Sequence, residues 1–95
     1  MSLENFLSFL QQIITITDPD NAASVALAKN AVVSVIALAY SSQKVDAFTW
    51  RVMHTAEMSL EQLLRHKDDF AGKPGDYTGN SNKRHRLLNV LRPGC

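Results

Sequence analysis

Apolar residues recur every three or four positions in three stretches of the chain, a spacing that places them on one side of an α-helix. The first stretch predicts a helix over residues 2–17, with Ser2 as its N-cap. Its opposite side is polar but almost uncharged, which fits either a solvated face or a face that another segment covers. The apolar side consists of Leu3, Phe6, Leu7, Leu10, Ile13, Ile14 and Thr17.

The second stretch predicts a helix over residues 19–41 that is apolar around most of its circumference. Asp18 suits the N-cap and Pro19 the first helical position. Alanine is abundant, and the few polar residues other than Lys29 share one sector of the helical wheel. A helix of this kind is buried on several sides. Because two companion helices offer too little cover, we expect a second chain to bury part of it, as in a homodimer.

The third stretch is regularly amphipathic and predicts a helix over residues 46–71. Asp46 is placed to cap it, and Gly72 with Pro74 is placed to end it. The apolar face carries Phe48, Val52, Ala56, Leu60, Leu63 and Leu64. With 95 residues, the chain corresponds to one domain. The sequence therefore predicts an all-α fold, a small bundle of three main helices.

The composition changes at Gly72, where turn-forming glycine, proline, asparagine and serine become frequent through Asn82. A short fourth helix is predicted over about residues 82–91, with Leu87, Leu88 and Leu91 on its apolar side. We therefore divide the domain into a helical core, residues 1–71, and a basic loop and short-helix tail, residues 72–95.

The tail carries an excess of positive charge that the net charge of +1 for the whole chain does not show. Five basic residues lie in residues 72–95, against Asp76 as the single acidic one. Such a cluster can bind carboxylates of an acidic protein surface or phosphates of a nucleic acid, or it can simply face solvent. The predicted partner-binding residues are Lys83, Arg84, His85, Arg86 and Arg92.

One group on the third helix resembles a chemical site. His54, Glu57 and Glu61 lie about one turn apart, with Trp50 at the edge of their sector. An imidazole and two carboxylates can ligate a divalent metal, but ordinary surface ion pairing with His54 and Arg65 explains them as well. The sequence contains no glycine-rich phosphate loop, nucleophile elbow, HExxH or paired-cysteine motif. We therefore expect no catalytic residue, no cofactor and no enzymatic activity.

Lys29 is the most unusual residue, because it lies on the apolar side of the second helix. Its expected role is structural. Its stem can pack while the ammonium group reaches water, or the ammonium group can pair with an acidic residue of the third helix. The candidate partners for such a pair are Glu57 and Asp46.

These features favour a non-catalytic helical protein-binding module of the inhibitor, immunity or adaptor type. The alternative is a nucleic-acid-binding regulator that uses residues 83–86, and a metal-dependent enzyme is a more remote one. No basic segment precedes the first apolar stretch, and Lys29 with Asn30 interrupts the only stretch apolar enough to suggest a membrane span. A single cysteine suits a reducing compartment. We therefore expect a cytoplasmic protein that does not enter membranes.

Overall fold

A computed structural model of the chain describes residues 1–42, 44–71 and 77–93, including their side chains except in residues 77–81. These ranges contain helices and no β-strand, which confirms the predicted all-α bundle. The helices are α1 (Leu3–Ile16), α2 (Ala22–Ser42), α3 (Ala47–Arg65), α4 (Lys67–Phe70) and α5 (Tyr77–Leu91).

Helix α1 has defined polar contacts at both ends. At its start, the Ser2 side chain accepts a hydrogen bond from the Asn5 amide at 3.1 Å, as predicted. At its end, the extended Thr17 donates its amide to the Ile13 carbonyl. Lys67 Nζ then donates to the Thr17 carbonyl at 2.9 Å, which places a cation at the negative end of the helix dipole. The beginning of α4 is thereby tied to the end of α1.

Helix α2 begins three residues later than predicted. The side chain of Asn21, rather than that of Asp18, accepts the first amides of the helix, from Ala23 at 2.9 Å and Ser24 at 3.2 Å. Asp18 instead accepts the Asp20 amide at 3.0 Å and closes a turn that contains Pro19. The prediction failed because Asp and Asn can both form local turns and caps, and the later of two competing caps is used.

The predicted third helix is interrupted at His66, so that α3 and the short α4 replace one continuous segment. Asp46 caps α3 as predicted, accepting the Thr49 amide at 2.7 Å, and this hydrogen bond lowers the pKa of Asp46. At the other end, the His66 amide is shared between the Gln62 and Leu63 carbonyls, a bifurcated bond common at helix termini. The expected terminators Gly72 and Pro74 lie outside the described residues.

Helix α5 begins at Tyr77, earlier than the expected residue 82, so residues 79–82 are helical rather than part of a loop. Its inner side reaches the interior, where Leu87 and Leu91 are completely buried. The hydrophobic core therefore extends beyond residues 1–71. The remainder of the predicted loop, residues 72–76, and Cys95 lie outside the ranges that the structure describes.

The core lies between α1, α3 and α5, whose apolar sides face one another. Complete burial of a leucine, valine or phenylalanine side chain contributes about 1.5–3 kcal/mol, so these residues account for much of the stability. Those with essentially no exposed surface include Phe6, Leu10 and Ile14 of α1, Val52, Met53, Leu60 and Leu64 of α3, and Leu87 and Leu91 of α5.

Helix α2 covers one side of this core and leaves its own outer side in solvent. Its buried residues are Ala28, Val32, Ile36 and Ala39, which form a narrow strip. On the outer side, Leu27 is 70% exposed and Leu38 is 71% exposed. In the single chain, therefore, the other helices do not cover the apolar surface of α2 completely, as predicted.

Candidate protein-binding surface

The outer side of α2 carries four exposed large apolar side chains, more than any other helix in the described part of the chain. We call it the α2 face. At 100° per residue its members occupy about half of the helix circumference. They are Ala23, Ala26, Leu27, Asn30, Val33, Ser34, Ala37, Leu38, Tyr40 and Ser41, and all are exposed.

Large and small side chains are separated on the α2 face. Leu27 and Leu38 form one flank, and Val33 with Tyr40 forms the other. Between the flanks the residues are small, namely Ala23, Ala26, Asn30, Ser34, Ala37 and Ser41. Small side chains along the middle of a helix allow a second helix to approach closely, while the larger flanks supply the apolar contact area.

Lys29 borders the α2 face and forms an ion pair with Glu61 of α3. Both side chains remain about half exposed, so the ammonium group is paired and still reaches water. The hydrogen bond from Lys29, together with its charge, lowers the pKa of Glu61. The expected partners Glu57 and Asp46 are therefore wrong: the pair uses the acidic residue one turn along α3 from Glu57.

Aromatic side chains lie together at the C-terminal end of the α2 face. The ring of Tyr40 lies 5.3 Å from that of Trp50, and Trp50 contacts His54 edge-on at 5.7 Å. Beside Tyr40 and Trp50 is an open pocket of about 390 Å³, completed by residues 45–47 and Ala39. Tyrosine and tryptophan are enriched at the centres of protein interfaces, so the side chains at this end of the α2 face are of the types that such interfaces use.

The residues proposed as a metal site are used in separate contacts along the α2–α3 seam. His54 packs against Trp50, and Glu61 binds Lys29. Glu57 lies beside Val32 and Val33 at a small pocket in the middle of the seam. Within the described ranges no group of three or more His, Cys, Asp or Glu side chains could hold a metal ion.

The predicted basic cluster is divided around α5 rather than gathered on one surface. Arg84 points to α1, where its Nη1 donates to Ser8 Oγ at 3.2 Å and lies 3.6 Å from Glu4 Oε1. Lys83 is half-buried. His85, Arg86 and Arg92 are the members of the cluster with exposed side chains. Arg84 therefore serves the packing of α5 on α1.

Replacing Arg84 with alanine is expected to destabilise the fold. Arg84→Ala removes a side chain that is 25% exposed and holds Ser8, so we expect unfolding free energy to fall by about 1 kcal/mol. The exposed Arg86→Ala is the matched control, with an expected change within about 0.5 kcal/mol. Urea titrations monitored by circular dichroism measure both. Equal effects of the two substitutions would contradict the structural role of Arg84.

The sequence identified the apolar excess of α2 but not the residues that form its uncovered side. Some alanines of α2 are buried and others are exposed, and nothing in their identity distinguishes the two sets. Tyr40 and Trp50 were not connected, because their contact crosses between two helices. A helical wheel centred on Val32 and Ile36 would have found the flank residues, given that these two face inward.

Helix α2 is also long and apolar enough to cross a membrane, by length and composition alone. It has 21 residues, a mean hydropathy of 1.8 over the best window, and 22% of that window buried within the chain. Core helices of soluble proteins and signal sequences can meet the same criterion, so this is weak evidence.

The fold and the exposed α2 face define this chain as an all-α helical bundle with one unshielded apolar helix. Comparison with known proteins gives no match to a protein-family model, to a curated protein or to a solved structure.

Proposed function

We propose that this chain is a non-catalytic helical protein-binding module, of the inhibitor, immunity or adaptor type, that binds through the α2 face. The observation that carries the proposal is the exposure of Leu27, Leu38 and Tyr40, each near 70%, on one continuous helix surface. Single exposed apolar residues are common on soluble proteins, whereas contiguous exposed apolar patches mark interaction sites.

The composition of the α2 face resembles the centre of a protein interface. Charged residues are depleted there, since Lys29 is the single charged residue of α2 and is paired with Glu61 at the border. Apolar flanks supply the gain from removing surface from water, about 25 cal/mol per Å². Asn30 and Ser34 add hydrogen-bonding groups that can fix the orientation of a partner.

The remaining exposed basic residues of α5 and of the residue that follows it are assigned a supporting role. His85, Arg86 and Arg92 can contact carboxylates at the rim of a partner with an acidic surface. A nucleic-acid-binding function receives less support, because Arg84 is held by α1. Phosphate binding would weaken steeply with added salt, whereas binding through an apolar face would not.

In the proposed function, α2 lies against another protein in the cytoplasm rather than in lipid. Lys29 and Asn30 lie near the middle of the apolar helix, where a charged group is costly in hydrocarbon. The ion pair with Glu61 also binds α2 to α3, whose exposed side chains include the charged Arg51 and Arg65. A partner protein can cover the α2 face without burying these charges.

Site-specific photo-crosslinking tests the proposed surface. Benzoylphenylalanine is introduced at Ser34, in the middle of the α2 face, and at the exposed Gln12 of α1 as the matched control. After irradiation of cells that produce each variant, we expect covalent adducts with a polypeptide from position 34 and none from position 12. Adding Leu38→Glu is expected to abolish the adduct, because a carboxylate would enter the apolar contact.

The pattern of adducts decides the outcome. Adducts from both positions, or from neither, would contradict binding through the α2 face. Adducts of position 34 with lipid in place of polypeptide would contradict it as well and would favour a membrane role for α2.

A further inference from the structure

We propose that the α2 face binds the α2 face of a second copy of this chain, with the two helices antiparallel. The inference rests on the proposed function and names the partner of the same surface. A two-fold symmetric interface requires that one patch be complementary to itself. The α2 face meets this requirement in its arrangement of large, small and polar side chains.

The complementarity follows from the geometry of an antiparallel pair. A two-fold axis perpendicular to the helices brings each flank of one helix against the same flank of the other. In the proposed register, Asn30 lies opposite Ser34 of the second copy. Leu27 is then level with position 37 of the second copy, one residue or about 1.5 Å along the helix from Leu38. The same contact is repeated on the other side of the two-fold axis, so both leucines of each chain are covered.

The other flank fits in the same register. Val33 lies near the two-fold axis and packs against Val33 of the second copy. Tyr40 reaches the small residues at the beginning of the second α2, Ala23 and Ala26, where no bulky side chain of the α2 face obstructs it. Antiparallel packing also opposes the two helix dipoles, which favours it over a parallel pair.

Polar groups and charges are compatible with this interface. The Asn30 amide and the Ser34 hydroxyl lie at the same level in two symmetric places, and a polar pair inside an apolar contact fixes the register. Lys29 is the single charged residue of α2, and Glu61 of its own chain neutralises it. The two α2 helices therefore bring no unpaired charge of their own into the contact.

The length of the α2 face sets the contact that a second copy can make. A standard interface buries roughly 800 Å² on each subunit. Helix α2, with 21 residues, provides a contact up to about 31 Å long.

Sedimentation equilibrium of the full chain tests the dimer. We expect twice the chain mass of 10.5 kDa, with dissociation on dilution. Ser34→Glu should weaken association by about 100-fold, since it introduces a carboxylate from each chain into the apolar contact. Met58→Glu on α3 is the matched control, because Met58 is 83% exposed and lies outside the α2 face, and it should leave the dimer unchanged. Circular dichroism establishes that both variants remain folded.

Disulfide trapping tests the antiparallel register. In a Cys95→Ser background, Asn30→Cys and Ser34→Cys chains are mixed and oxidised. Because a disulfide requires Cα atoms about 5.5–6 Å apart, the proposed register joins position 30 to position 34 between different variants. A parallel pair would instead join like with like and would contradict the register.

Three other results would contradict the proposed dimer. A chain that stays monomeric at every concentration contradicts it, and adducts of position 34 with a different protein would then leave the proposed function standing alone. A dimer that resists Ser34→Glu associates through another surface, which contradicts the inference. Binding to phospholipid vesicles without dimerisation would contradict both.

Discussion

Leu91→Ala is expected to lower the free energy of unfolding by about 3 kcal/mol, although Leu91 lies in the segment with the most polar and basic sequence. Leu91 is completely buried, and α5 packs against α1, α3 and α4. Removing a leucine side chain from a packed core costs about 2–5 kcal/mol, since apolar contact is lost and a cavity remains. A domain of this size has roughly 5–14 kcal/mol of total stability, so the loss is large.

Val90→Ala is the matched control for this prediction. Val90 is adjacent in sequence and is 54% exposed, so its truncation should change stability by less than about 0.5 kcal/mol. Chemical denaturation followed by circular dichroism gives both values. If Leu91→Ala were as mild as Val90→Ala, α5 would be a detachable tail, and the fold would depend on residues 1–71 alone.

Val32→Asp is expected to destabilise the chain by about 3–5 kcal/mol, enough to leave a substantial unfolded population. Val32 has no exposed surface and lies on the strip of α2 that faces the core. A carboxylate there loses its hydration without gaining a partner, and a buried uncompensated charge is among the most destabilising single changes.

Val33→Asp is the corresponding control, because Val33 is the next residue and is 45% exposed on the α2 face. The variant should keep its helical circular dichroism and a stability within about 1 kcal/mol of the parent monomer, measured at a concentration where the chain is not associated. Similar loss of structure in both variants would show that the two sides of α2 are equally buried, which would remove the basis for the α2 face.

The helices with one apolar side were predictable from the sequence, and the helix ends were predictable only in part. The three-and-four spacing in α1 and α3 is a direct consequence of 3.6 residues per turn, and Ser2 and Asp46 cap these helices as expected. The start of α2 was misplaced, because Asp18 and Asn21 both suit a cap. Their competition is settled by the turn that the chain takes between α1 and α2.

The residues of the α2 face were likewise predictable only in part. Its uncharged character and its excess of apolar residues follow from the sequence, but α2 carries alanine on all sides. Ala28 and Ala39 are buried while Ala26 and Ala37 are exposed, and the packing of the other helices makes that distinction. The polar side of α1 likewise proved to be covered in part: Gln11 is 5% exposed.

By itself, the sequence determined that the chain is helical and that its middle helix has more apolar surface than its companions can cover, because periodicity and composition are local properties. Tertiary structure alone decided that Lys29 binds Glu61 and that Arg84 binds α1. These partners are 32 and about 80 residues apart in the chain. The position of α2 along α3 decides that Lys29 contacts Glu61 rather than Glu57, which lies one turn away.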